Sequence, residues 1–210
     1  MFNKTKTKSA FTLAEVLITL VIIGVVAALT IPNVIYNSKK QEYSARLKKF
    51  YSTMKQVQQR AKTDGKEWGD YVNANINNNE IAVIESFAKE YLLPYISHAK
   101  TLKTSYQYYI YFSDGSYFRI EKSNNCFQFY FDVNGNKKPN EIGRDIQVFE
   151  YCSSSYYGPL KLTFGPYHYS QNLTSRASAL SECTNITKKA CCALLWFDGW
   201  EFKDDYPYRL

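Results

Sequence analysis

Ser9-Ala10-Phe11-Thr12-Leu13-Ala14-Glu15-Val16-Leu17-Ile18-Thr19-Leu20 opens an apolar run that reaches Ile31. A short leader with Lys4, Lys6 and Lys8 and no acidic residue precedes it. About twenty apolar residues are enough to cross a bilayer as a helix. Glu15 breaks the run. A carboxylate at that depth costs roughly 2.5–3.5 kcal/mol on insertion scales, so it calls for a partner and a role. An ordinary secretory signal has an apolar core of about 7–15 residues and ends at an A-x-A-like cut. This run is longer, and no such site follows it.

The leader, Phe11 and Glu15 resemble the class III signal of type IV pilins and type II secretion pseudopilins. The resemblance implies cleavage between Ala10 and Phe11 by a prepilin peptidase, N-methylation of Phe11, and a role for Glu15 in methylation and assembly. Gly24 and Pro32 match positions that loosen the first helix of such proteins, whereas Ala10 stands where they usually carry glycine. Phe11 and Glu15, four residues apart, share one helix face. Cleavage would place a new amine beside the buried carboxylate, within one subunit or between neighbours. Such a buried pair sets register more than it adds stability.

The expected organisation is a leader over residues 1–10, a transmembrane or filament-core half-helix over 11–31, an amphipathic half-helix over 32–62, and a globular head over 63–210. Without the leader the formal charge falls from +7 to +4, too little by itself to argue for nucleic acid. Lysines and arginines also follow the span (Lys39, Lys40, Arg46, Lys48, Lys49), so charge alone does not orient it. The signal implies a single-pass protein of the bacterial inner membrane with its head outside the cytoplasm. Cys126, Cys152, Cys183, Cys191 and Cys192 all lie in the last 85 residues, as suits an oxidising compartment.

Beyond Pro32, Tyr43, Leu47, Phe50, Tyr51, Met54, Val57 and Ala61 recur at helical spacing. They predict one helix from Phe11 to about Ala61, bent at Pro32 and closed by Thr63-Asp64-Gly65. Residues 64–80, polar and Asn-rich, read as a surface loop, and a second helix is expected from Glu80 to about Leu92. Tyr106–Phe112, the turn Ser113–Ser116 and Tyr117–Ile120 read as a hairpin. Cys126–Val133 and Ile146–Tyr151 give two further strands. Trp196–Trp200 with Tyr206-Pro207-Tyr208 suggests a last hairpin and a lid. The fold class is α+β: a long N-terminal helix, transmembrane in its first half, packed by an antiparallel sheet in the manner of type IV pilins.

Asp132, Asn134 and Asp145 place oxygen-bearing side chains where they could converge on a hard cation such as calcium. The segment resembles an Asp-x-Asn-Gly…Pro-Asn…Gly-x-Asp loop of pilin-like heads, some of which bind calcium. It is not an EF-hand, because Lys137 and Gly143 occupy the positions of its Gly and Glu. The preferred account is a long turn in which these side chains cap backbone donors. The tail cysteines resemble the disulfide-framed region of many pilins, with Cys183 bonded to Cys191 or Cys192, Cys126 paired with Cys152, and one thiol left over. The pairing stays open at this stage. A zinc site is disfavoured: the histidines are His98 and His168 alone, and no C-x2-C pair occurs.

No nucleophile motif, phosphate loop or metalloprotease helix is present, so the chain is not expected to be an enzyme or to carry a cofactor. The resemblance implies a structural subunit, a minor pilin or pseudopilin, in a type IV pilus or type II secretion pseudopilus. Its partners would be other pilin or pseudopilin subunits, prepilin peptidase, an inner-membrane assembly platform and membrane lipid. The nineteen tyrosines leave a second reading, a tip adhesin or DNA-uptake subunit whose head binds a ligand. Alternating strand packing, with hydroxyls kept wet, explains most of them more simply.

Overall fold

The computed structural model of the chain describes residues 12–75, 80–123, 125–153, 163–169 and 173–210. The leader, Ala10 and Phe11 lie outside the described residues. Two compact units are defined, Met1–Lys39 and Lys40–Leu210. Helix α1 (Leu13–Thr63) begins in the first and ends in the second, and its helical assignment runs without a break through Pro32. In the first unit the apolar side chains are uncovered: Leu13, Val21 and Leu29 are 78%, 65% and 72% exposed. A helix apolar on all sides needs lipid or other helices around it.

In the second unit α1 becomes one-sided. Tyr43, Leu47, Phe50, Met54, Val57 and Ala61 are buried at alternating steps of four and three. The helix closes as predicted. Gly65 takes φ +76, its N–H donates to Lys62 O, and the N–H of Lys66 donates to Ala61 O. These bonds satisfy the last carbonyls in a Schellman arrangement.

Helices α2 (Trp68–Ala74) and α3 (Ile81–Phe87) follow, the latter continued by a π-helical turn, Ala88–Leu92. The α3 prediction holds, but the loop expected over 64–80 contains α2. Trp68, Tyr71 and Val72 stand at i, i+3 and i+4, and Trp68 and Val72 are fully buried. The surrounding polarity hid this short stripe.

Strands β1 (Lys100–Lys103), β2 (Tyr108–Tyr111), β3 (Tyr117–Ser123), β4 (Cys126–Asp132), β5 (Ile146–Cys152) and β6 (Gly165–Pro166) form one antiparallel meander in sequence order. Edge strands β1 and β6 are absent from the sequence reading, being fully exposed and two residues long, respectively. On the inner face Phe118 pairs with Phe131, and Phe129 with Ile120 and Phe149. Phe50 of α1 stacks on Phe131 at 4.1 Å between centroids and lies 5.1–5.3 Å from Phe149 and Phe118. A second aromatic group joins Trp68, Phe87, Phe127 and Tyr151.

The C-terminal region packs as α4 (Arg176–Ser181), a π-helical turn Glu182–Ile186, a short 3-10 turn Lys188–Ala190 and α5 (Cys191–Phe197). The expected last hairpin is therefore a helix and its exit turn. Cys191, Cys192, Ala193, Leu194 and Leu195 are all buried. Asp198-Gly199, a hairpin signal in sequence, instead ends α5: Gly199 takes φ +63, and Trp200 N–H donates to Leu195 O. Trp200 then packs on Phe149 and Tyr51, 5.5 and 5.0 Å away, so the expected cover over the core is present.

Replacing Phe50 by alanine should remove about 3–5 kcal/mol, the usual cost of truncating a buried aromatic. Urea denaturation of the full chain in detergent micelles measures this. A loss below ~1 kcal/mol would mean that α1 does not carry the sheet through this ring.

Candidate functional site

At the start of α1 the carboxylate of Glu15 is held locally. Its Oε2 accepts from the backbone N–H and the hydroxyl of Thr12, both at 2.9 Å, and Thr12 Oγ1 accepts from Glu15 N–H at 3.2 Å. This is a reciprocal capping box, in which two helix-terminal donors are satisfied by one Thr-x-x-Glu pair. The Thr12…Glu15 spacing before an apolar run was the legible signal for it, and Thr12 is missing from the sequence-predicted residues. Phe11, the expected amine partner of Glu15, lies outside the described residues.

In the head, the loop between β4 and β5 brings Asp132, Asn134 and Asp145 together. Asp132 and Asp145 are buried. Asp145 accepts from the N–H groups of Asn140 and Glu141 at 2.8 and 2.7 Å and from Asn134 Nδ2 at 3.2 Å. Asp132 Oδ1 accepts from Asn134 N–H at 3.2 Å, and the Tyr117 hydroxyl is hydrogen-bonded to the same carboxyl. Asn140 is a further member that sequence reading passed over. With its amide nitrogen turned inward it donates to Gly135 O, Lys137 O and Asp132 Oδ2 at 3.0–3.2 Å. Asn134 Oδ1 is buried, and among the described residues no donor reaches it.

The loop is fastened to α1 and to the β2–β3 turn. Asn134 Nδ2 donates to Tyr43 Oη at 2.8 Å, and Arg46 donates to Val133 O at 2.8 Å and to Asp114 O at 3.2 Å. Gly135 has φ +70, and a Cβ there would lie 2.2 Å from Gly115 O. Only glycine meets both demands.

As a cation site the set is poor in charge. Both oxygens of Asp145 already accept backbone N–H groups, which leaves one carboxylate, Asp132, with neutral oxygens, against the six to eight oxygens calcium takes. The capping account matches the bonds observed.

The disulfides are Cys126–Cys152, joining directly paired residues of β4 and β5, and Cys183–Cys191. Cys192 is the free thiol, buried, and burial pushes its pKa well up. Glu150 brings a carboxylate within 4.8 Å of the Cys126 and Cys152 sulfurs, but bonded sulfurs are not thiolate ligands for zinc. Around the tail, Arg176 bonds both Asp198 and Asp205, and Lys203 also reaches Asp198.

A family described only as of unknown function (DUF6613) matches residues 33–210. The chain belongs to the DUF6613 family. The prokaryotic N-terminal methylation motif matches residues 5–31. The two matches follow one another, the motif over the second half of the leader and the apolar run and DUF6613 over the residues from 33 onward. The chain thus carries a prepilin-type signal on a single-pass membrane anchor, and its α+β architecture agrees with the pilin-like arrangement that the signal implied. No curated protein and no solved structure matches the chain.

Within the DUF6613 head, burial, and secondarily the nearby Asp145 carboxylate, push the pKa of Asp132 up to about 7. An unfolded aspartate loses its proton near 3.9. The folded state therefore holds a proton that the unfolded chain gives up. This contribution to stability is complete below about pH 4 and is lost as the pH rises through about 7. The urea midpoint of the wild-type chain should fall between pH 5 and pH 8 more steeply than that of Asp132→Asn. Equal slopes would show that another group sets the pH dependence.

Proposed function

We propose that this DUF6613 protein is a prepilin-like structural subunit, a minor pilin or pseudopilin. In this reading prepilin peptidase cuts between Ala10 and Phe11, Phe11 is N-methylated, and the subunit is assembled from the inner membrane into a type IV pilus or type II secretion pseudopilus. The observation that carries the reading is the first part of α1. It is long and apolar enough to cross a membrane, and its 18-residue apolar window has none of its residues buried within the chain. Lipid covers such a surface before assembly, and neighbouring helices cover it afterwards. Glu15, closed onto Thr12 in the isolated chain, would exchange part of that bonding for the amine of a processed Phe11. The head lies outside the cytoplasm, where its two disulfides persist. The chain itself performs no chemistry.

Intact mass and amino-terminal sequencing of the protein from its own membrane test this reading. The expected product begins at N-methylated Phe11. A chain that retains Met1 while prepilin peptidase is active would overturn it.

We also infer that the Asp132–Asp145 loop is closed by hydrogen bonds and not by an ion. Calcium and EDTA should then give the same thermal midpoint, and a rise of several degrees with calcium would assign the loop to the metal.

A second reading, a ligand-binding head on the same anchor, is favoured by the half-exposed tyrosines on the outer face of β2 and β3.

A further inference from the structure

The outer face of the sheet carries aromatic rings interleaved with cations. Register places Tyr109 of β2, Arg119 of β3 and Tyr130 of β4 side by side in one row. The next row sets Lys100 of β1 against Tyr111 of β2 and Tyr117 of β3. Tyr109, Tyr111 and Tyr117 are half-buried and lie against one another, with centroids 5.1–6.3 Å apart. The Lys100 ammonium sits 4.8 Å from the Tyr111 ring. The Arg119 guanidinium lies 3.8 Å from the Tyr130 ring, and Lys189 approaches the same ring at 5.1 Å. Residues within a row are about 4.8 Å apart, and the rows, two residues apart along each strand, are separated by about 7 Å, so together they form one surface across β1–β4.

Among the described residues its exposed charge is mainly positive. Lys100, Arg119 and Lys189 stand against Glu121, which Arg119 already pairs, and against Asp132 and Glu150, which are both buried, the latter close enough to Lys189 to act on its charge. This bias calls for an anionic partner, while the adjacent rings call for a flat one. A lone patch of lysines would serve any polyanion. Tyrosines that keep part of their rings exposed between fixed cations suit a strand whose phosphates and unstacked bases alternate on the same scale. Tyr109, Tyr111 and Tyr117 project from the face opposite the Phe118–Phe129–Phe131 layer, so their rings are not part of that aromatic core.

We propose that the outer face of β1–β4 binds single-stranded nucleic acid, with Tyr109, Tyr111 and Tyr117 as the stacking platform and Lys100, Arg119 and Lys189 as phosphate contacts. This rests on the reading of the head as a ligand-binding module, and it does not depend on filament assembly.

The test is fluorescence anisotropy of a labelled oligothymidylate with the full chain in detergent micelles, titrated at several salt concentrations. Binding is expected with Kd on the order of 10⁻⁵ M. Tyr111→Ala should weaken it by about tenfold, as loss of one stacked base requires, whereas Tyr111→Phe, which keeps the ring, should bind like the wild type. Lys100→Ala, on an exposed edge strand, should lower the slope of log K against log salt by about 0.7. Binding that Tyr111→Ala leaves unchanged would overturn the stacking site. Binding of a heparin oligosaccharide without oligothymidylate would overturn the nucleic-acid assignment and leave a ligand-binding head. Binding of neither would overturn both.

Discussion

Phe50, stacked on Phe131 and flanked by Phe118 and Phe149, is the contact on which the head is organised. It sits at the centre of the buried stripe of α1, so the helix covers the inner face of β3, β4 and β5 at once. One and two turns earlier, respectively, the same helix presents Arg46 and Tyr43, which hold the β2–β3 turn and the β4–β5 loop. Loss of the stack would therefore loosen both the core and the loops above it. Aromatic pairs add about 0.5–1.5 kcal/mol beyond the area they bury, and this ring has several such neighbours.

The β4–β5 loop shows two buried carboxyl groups handled in different ways. Asp145 is compensated by backbone N–H groups. Asp132 is deeper in balance: burial and the neighbouring carboxylate outweigh its hydrogen bonds, so its pKa is raised. One member of the pair organises the loop while the other makes it sensitive to pH. Gly135, pressed against Gly115 O, fixes how closely the loop can approach the β2–β3 turn.

The tail closes the far side of the core by covalent and ionic means. Cys126–Cys152 ties β4 to β5, and a bridge spanning 26 residues is worth about 3.5 kcal/mol in a loop-entropy account. Cys183–Cys191 fixes the start of α5, and Arg176 with Asp198 and Asp205 holds α4 against the exit from α5. Cys192 sits beside this framework with its thiol buried and protonated, a packed side chain rather than a reactive one.

By itself the sequence determined the anchor, the signal, the helical stripe from Tyr43 to Ala61 and the central strands, because each is written as a periodicity or a spacing within one segment. The tight turns at Gly65 and Gly115 were legible for the same reason. Helix α2 and the helical tail were not. Trp68, Tyr71 and Val72 form too short a stripe to outweigh the asparagines around them, and α5 is buried on every side, which leaves no alternation to read. Tertiary structure alone decided that Asp198-Gly199 ends a helix, that Cys191 rather than Cys192 meets Cys183, and that Asn140 completes the loop around Asp132. Each of those outcomes depends on which atoms lie within a few ångströms across the fold, and adjacent residues of the same type do not differ until the fold places them.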